Sequence, residues 1–189
     1  IVSAGLATAT EAVELPWTIG SVDVAPFEAW LASDSPKIFH DAKPQVRALS
    51  RAGVPLAGLA FDTLIAGWLR SPTLPDKTLA DLVDRFLGET LPQGAPTQLL
   101  PDTEEVSPAL HAWYALRVAD ALRDELDEGS LSVLVDIEMP TLMALAEMEL
   151  AGVSVSHEQL STFSAELGAR ATDLASRAYE VIGREVNLG

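Results

Sequence analysis

The chain has 189 residues, of which 12 are Lys or Arg and 28 are Asp or Glu, so its formal net charge is −16. Hydrophobic residues make up 48% of the sequence, which is enough to fill the core of one large domain, or of one domain and the start of another. The absence of cysteine excludes disulfides, thiolate metal sites and a cysteine nucleophile. The acidic balance argues against a self-standing nucleic-acid-binding domain, because such a domain normally presents a basic surface to phosphate.

Neither a membrane span nor a secretory signal is expected. Apolar runs such as Val133–Val135 are short, and none approaches the ~20 residues that cross a bilayer. The first residues lack a basic segment followed by an apolar one. Because neither end resembles a natural N-terminus or C-terminal tail, we expect this chain to be an internal segment of a longer protein.

In the first half of the chain, strand patterns alternate with helix patterns. Loose alternation in residues 1–17, broken at Thr10-Glu11, predicts a β-hairpin, and short strands are predicted at 36–40 and 59–61. Apolar residues at helical spacing predict four helices, at 23–33, 43–52, 62–71 and 78–87. Strands interleaved with helices are typical of an α/β sheet domain.

The second half of the chain is predicted to be mostly helical. Residues 92–108 contain four prolines and no periodicity, which indicates a loop. Helices are then predicted at 109–126, at 138–151 and, after the capping box that opens at Ser156, over a long stretch to about residue 182.

Two Asp-x-Glu triplets are the first candidates for chemistry, because paired carboxylates can hold divalent metals. Asp102-Thr103-Glu104 lies in the proline-rich loop, where solvated acid is the simpler interpretation. Asp136-Ile137-Glu138 could be delivered to a site by a strand over Leu131–Val135. The competing interpretation is that Asp136 caps the next helix and that Glu138 favours its positive end.

Other residue types give weaker signals. His40, His111 and His157 have no metal-ligand spacing, so surface or capping roles are expected for them. No nucleophile elbow, phosphate loop or dinucleotide fingerprint is present. The residues alone therefore identify no convincing active site.

Several stretches nevertheless form a familiar set, which includes Ile137-Glu138-Met139-Pro140, Met148-Glu149-Leu150-Ala151-Gly152-Val153 and Glu185-Val186-Asn187-Leu188. In order and spacing, these three resemble the start of the polymerase domain of bacterial DNA polymerase I, a family A DNA polymerase. Gly58-Leu59-Ala60-Phe61-Asp62-Thr63 and Lys77-Thr78-Leu79-Ala80-Asp81-Leu82 resemble parts of its 3′→5′ exonuclease domain. The resemblance covers most of the chain.

The resemblance implies a degenerate exonuclease site. An active domain of this family holds two divalent metals with four carboxylates in three motifs, and the first motif, Asp-x-Glu, would precede the strands with which this chain starts. The second motif, Asn-x-x-x-Asp, corresponds to Asp41 through Gln45, and the third, Tyr-x-x-x-Asp, corresponds to Tyr114 through Val118. Gln45 and Val118 thus stand where the family has metal-binding carboxylates, while Tyr114 is retained. No catalytic, cofactor-binding or metal-binding residue is therefore predicted for this segment.

The resemblance also implies a fold and a setting. We expect a ribonuclease H-like α/β domain, a mixed sheet flanked by helices, over residues 1–130, followed over residues 131–189 by long helices that lead into the polymerase domain. The parent would be a cytoplasmic, nucleoid-associated monomer, with no membrane partner, that copies DNA in repair and replication. Its partners would be DNA, deoxynucleoside triphosphates and the rest of the polymerase chain, and its cofactor Mg²⁺. The alternatives are an active metal-dependent 3′→5′ exonuclease that uses Asp41, Asp62 or Asp136 with Glu138, and an acidic helical interaction module.

The charge of the chain gives a first testable prediction. A net charge of −16 repels phosphate, so this segment alone should bind DNA no more tightly than the weak end of the non-specific range, with a Kd above roughly 10⁻⁴ M. Fluorescence anisotropy at moderate salt, with single-stranded and duplex DNA, measures this affinity. Micromolar binding of either form would contradict the prediction.

Overall fold

The structure, a computed structural model, describes residues 2–73, 78–91 and 107–187. It divides the chain into two compact units, Ile1–Ala151 and Gly152–Gly189. Residues 92–106 of the loop predicted at 92–108 lie outside the described residues, and so do the triplet Asp102-Thr103-Glu104 and Lys77. The division after Ala151 does not test the predicted boundary at residue 130 between the exonuclease-like domain and the polymerase domain, which stays a prediction.

The described strands form two small sheets. β1 (Val2–Ala7) pairs antiparallel with β2 (Ala12–Trp17), so the predicted hairpin is confirmed. β3 (Lys37–Phe39) pairs parallel with β4 (Leu59–Asp62), which confirms the other two predicted strands. The α/β class is thus confirmed, with the strands in an antiparallel pair and a parallel pair.

Eight α-helices occur in the described residues, and most of them begin and end close to the predicted bounds. A 3₁₀ turn, Val22–Val24, precedes the first of them. The helices are α1 (Ala25–Ala32), α2 (Ala42–Arg51), α3 (Thr63–Arg70), α4 (Leu79–Leu87), α5 (Pro108–Glu125), α6 (Glu128–Val133), α7 (Met139–Ala151) and α8 (His157–Ile182).

The strand predicted over Leu131–Val135 is wrong, because these residues are helical. The Asp127 side chain accepts a hydrogen bond from the Ser130 amide and caps α6, and a π-helical turn over Leu134–Glu138 joins α6 to α7. Pro140 has no N–H to donate back into the preceding turn, and a wider turn directly before it accommodates this loss. The apolar run therefore lies on a helix, where Leu134 is fully buried and Val135 is exposed.

The continuous helical run also corrects the expectation that no span-length apolar segment exists. Glu128–Ala151 is 24 residues long and, by length and composition only, apolar enough to cross a membrane. The core helix of a soluble protein can pass the same test, so the observation is weak evidence for a membrane span. Four of its residues, Leu134, Met139, Leu142 and Ala146, are at most 5% exposed and belong to the core.

The main core of the first unit is built around α5. This helix packs against β1, α3 and α4, and its residues Val118, Ala119 and Leu122 are fully buried. The contact with β1 is so close that a Cβ at Gly5 would lie 1.8 Å from the carbonyl oxygen of Pro108. A smaller second cluster consists of Trp17, Val24, Leu31 and Val54.

The second unit consists mainly of α8. Ser156 caps this helix by accepting a hydrogen bond from the Gln159 amide, as the sequence predicted. The apolar residues Leu160, Phe163, Leu167 and Leu174 recur at spacings of three, four and seven residues and are 49–58% exposed. Because the unit offers no second helix or strand among its described residues, this stripe has no partner within the unit.

The exposed stripe gives a prediction about amide exchange. Amides near Leu174–Val181 should exchange fast in this chain, since helical stability in proteins comes mainly from packing an apolar face. In a longer chain that continues past Gly189 into a polymerase domain, the same amides should exchange more slowly. Equal protection in the two chains, measured by hydrogen exchange, would contradict a domain assignment that places α8 with the polymerase.

Candidate functional site

Asp62 is the central residue of the region that corresponds to the exonuclease site. It ends β4, is 1% exposed, and caps α3 by accepting hydrogen bonds from the amides of Leu64 and Ile65 at 2.8 and 3.3 Å. It also accepts hydrogen bonds from the amides of Asp41 and Ala42 at 3.3 and 2.6 Å. One carboxylate therefore satisfies the backbone donors at the starts of both α2 and α3.

The electrostatics of Asp62 favour this structural role. Burial raises the pKa of its carboxyl group, and the four backbone hydrogen bonds act in the opposite direction. Both carboxylate oxygens already accept backbone donors. Any movement of this carboxylate toward a metal ion would break these bonds and leave buried amides without acceptors, which is costly.

Asp41 and Gln45 lie beside Asp62, at the beginning of α2. Asp41 has a left-handed backbone conformation with φ of 52°, and its side chain makes no capping hydrogen bond. The Gln45 side-chain amide donates to the carbonyl oxygens of His40 and Asp41 at 2.8 and 3.3 Å. Gln45 thus holds the turn that enters α2, at the position where the family motif has a carboxylate.

The third motif position lies on α5. Val118 is fully buried in the main core, where it offers no ligand oxygen. The Tyr114 hydroxyl donates to Glu89 at 3.2 Å, and Arg117 donates to the same carboxylate at 2.6 and 2.8 Å. Tyr114 is therefore engaged in tying the end of α4 to α5. The sequence gives no local signal for this Glu89 cluster, because its members are about 25 residues apart.

Two histidines face each other across this region, which sequence reasoning did not foresee. The ring centroids of His40 and His111 are 5.8 Å apart, and Nδ1 of His40 lies 2.9 Å from the Thr63 hydroxyl. Both line an open depression of about 570 Å³, together with Asp41, Pro44, Gln45, Leu64, Thr78 and Leu79. Burial, and the neighbouring His111, lower the pKa of His40 to about 4, and burial also lowers the pKa of His111. His40 is therefore neutral at pH 7.

The remaining candidates lie apart from this cluster. Asp136 is on the π-helical turn, where it accepts a hydrogen bond from Ser132 and does not cap α7, so both interpretations of its triplet need correction. The exposed His157 begins α8 and contacts Ser161, in agreement with a surface role. Within the described ranges, no three His, Asp or Glu side chains are grouped to hold a metal ion. These residues do not fit a two-metal centre, whose ions require several oxygen ligands.

Comparisons with known proteins identify the family. A family model described as DNA polymerase I, ribonuclease H-like domain, matches residues 1–92. DNA polymerase I of Mycobacterium bovis is 36% identical over 183 residues, which cover 91% of this chain and 20% of that protein. The chain belongs to the DNA polymerase I family. The enzyme of Pseudomonas aeruginosa is 33% identical over 168 residues, which cover 81% of this chain and 18% of that relative.

A solved structure agrees with this assignment. The POL domain of Pol1 from M. smegmatis, in complex with DNA primer-template and dNTP, is 34% identical, with a TM-score of 0.83. The match covers 97% of this chain and 31% of that one. The chain spans about a fifth of the length of the curated relatives it matches. An acidic module unrelated to polymerases is thus contradicted.

The histidine pair gives a prediction about stability and pH. The pKa of His40 is about 4 in the folded protein and near 6.5 in the unfolded chain. As the pH falls, the unfolded chain therefore takes up a proton at this residue before the folded protein does. The free energy of unfolding should therefore decrease between about pH 6.5 and 4, and His40→Gln should remove part of this decrease, up to about 3 kcal/mol in total. Urea unfolding across this range measures it.

His157→Gln is the matched control, because His157 is exposed at the start of α8. Its slope should equal that of the unchanged chain. An equal slope for His40→Gln as well would show that the pair does not titrate as described.

Proposed function

We propose that this segment is an inactive proofreading domain joined to the first helices of a polymerase domain, and that its role is structural. The observation that carries the proposal is the burial of Val118 at a position where the family motif has a carboxylate. A core valine supplies no oxygen to a metal ion, and an Asp in its place would bury an unpaired charge at high cost.

The neighbouring residues support the same proposal. Gln45 replaces a second carboxylate, and its side-chain amide is held by backbone carbonyl groups. Asp62 is engaged with four backbone amides, and Tyr114 with Glu89. An active exonuclease that uses Asp41, Asp62 or Asp136 with Glu138 would need a group of acids that the described residues do not bring together.

The parent protein is proposed to carry out template-directed DNA synthesis in repair and replication. Support comes from the related Pol1 structure, which contains DNA primer-template and dNTP. We propose DNA, deoxynucleoside triphosphates and the remainder of the chain as its partners, and Mg²⁺ as the cofactor of the polymerase rather than of this segment. A cytoplasmic, nucleoid-associated monomer without a membrane partner completes the proposal.

A nuclease assay on the full-length parent tests the inactive site. With Mg²⁺ or Mn²⁺ present and nucleotides omitted, 3′-labelled single-stranded DNA should lose no more label than in a reaction that contains a chelator. Without the acids of the second and third motifs, no ion is held at the 3′ end. Addition of a known metal-dependent exonuclease confirms that the reaction conditions allow cleavage.

Metal-dependent loss of the 3′ label would contradict the proposal if Asp136→Asn or Asp41→Asn abolished it. Asn tolerates the left-handed backbone of Asp41, so this substitution removes the charge with little effect on the fold. Primer extension by the same preparation, with nucleotides added, tests the proposed polymerase activity independently.

A further inference from the structure

An ion cluster joins α2 to α7. Lys43 and Arg47 lie one helical turn apart on α2, and the Glu149 carboxylate on α7 accepts a hydrogen bond from each. The Lys43 Nζ–Glu149 Oε1 distance is 2.8 Å, and the Arg47 Nη1–Glu149 Oε2 distance is 2.6 Å. Lys43 and Glu149 are more than 100 residues apart in the chain, and so are Arg47 and Glu149. We call these three residues the α2–α7 clamp.

Apolar packing accompanies the clamp. α2 packs against α7, with Ala42 and Val46 buried on α2 and Leu142 and Ala146 buried on α7. All four belong to the main core. Small residues on both helices allow close approach, so the charged groups at the edge of the contact are held near each other by the core beneath them.

Arg47 is the least exposed side chain of the clamp. Its side chain is 30% exposed, and its Nε is buried without a hydrogen-bond partner. The two cations lower the pKa of Glu149, Lys43 having the larger effect, so this carboxylate is ionised at neutral pH. Removing Glu149 would leave a half-buried guanidinium without its anion, which costs more than losing an exposed pair.

We propose that the α2–α7 clamp is the means by which the inactive exonuclease-like domain holds the helix that leads into the polymerase domain. Glu149 is then a positioning residue for the polymerase, and α2, the helix of the second nuclease motif, is its anchor. This inference rests on the proposed function, in which α7 belongs to the start of the polymerase domain.

The chain offers a matched control for Glu149. Arg70 on α3 and Glu125 on α5 form an ion pair at 2.9 Å, and each side chain is 44% exposed. This pair joins two helices that both lie before the proposed domain boundary. Glu125→Gln removes the same charge as Glu149→Gln, but it should affect the exonuclease-like domain alone.

The experiment uses the full-length parent, with two readouts for each variant: hydrogen exchange in α7 peptides, and the temperature at which half of the primer-extension activity is lost. Glu149→Gln should speed α7 exchange about three- to tenfold, since local opening becomes easier. It should also lower the half-inactivation temperature by about 2–4 °C. Glu125→Gln should change neither readout.

Charge reversal provides a rescue. Glu149→Lys should speed α7 exchange and lower the half-inactivation temperature more than Glu149→Gln does, because it places three cations together. Adding Arg47→Glu to Glu149→Lys should recover at least half of the loss in both readouts. The proposal is overturned if Glu149→Gln behaves like Glu125→Gln, if the reversed pair is no better than Glu149→Lys alone, or if only α7 exchange changes. If the unchanged parent fails to extend primers, the proposed function fails instead, while α7 exchange still reports on the clamp.

Discussion

The arrangement of the residues at the starts of α2 and α3 depends on one buried carboxylate. Asp62 accepts four backbone amide hydrogen bonds, two from the start of α2 and two from the start of α3. Helix starts that are buried without acceptors are strongly unfavourable, so this side chain fixes where both helices begin. The positions of His40 and Asp41, which lie in the turn that enters α2, and of Gln45, in the first turns of the helix, follow from it.

This constraint concerns the fold of the ribonuclease H-like domain, and it acts through backbone hydrogen bonds. The Asp62 carboxylate stabilises the fold by satisfying backbone donors, a role that does not require metal. Tyr114, similarly, has a structural partner in Glu89. The two positions that lack a carboxylate have taken local roles of their own, since Gln45 holds a turn and Val118 fills the core. The framework therefore still supports α5 and, through the α2–α7 clamp, α7.

The parts of the fold that local sequence signals specify could be predicted. The hairpin follows from alternation, and the caps at Asp62 and Ser156 follow from residue type and spacing. The error at Leu131–Val135 has a physical cause: a short apolar run suits a buried strand and a buried helix equally, and only the cap at Asp127 and the π-helical turn before Pro140 distinguish them.

The missed features of the site share a different cause. Each of them joins residues that are 25 or more positions apart in the chain: the His40–His111 contact, the Glu89 cluster and the α2–α7 clamp. Sequence spacing cannot predict such contacts, because they arise only when distant parts of the chain pack together. The replacements at Gln45 and Val118, by contrast, were visible once the family motifs could be placed on the sequence, and the structure adds what each residue does instead.

A metal titration tests the central claim, that the Asp62 carboxylate is committed to the backbone and that this region holds no divalent ion. Mn²⁺ broadens the amide NMR signals of nuclei near its binding site, so the amides of Asp41, Ala42 and Leu64 are the sensitive probes. We predict that millimolar Mn²⁺ leaves them no more broadened than the amides around the exposed acids of α8, such as Glu166. Selective, saturable broadening at Asp41 and Ala42 that Mg²⁺ reverses would show a working metal site and contradict this account.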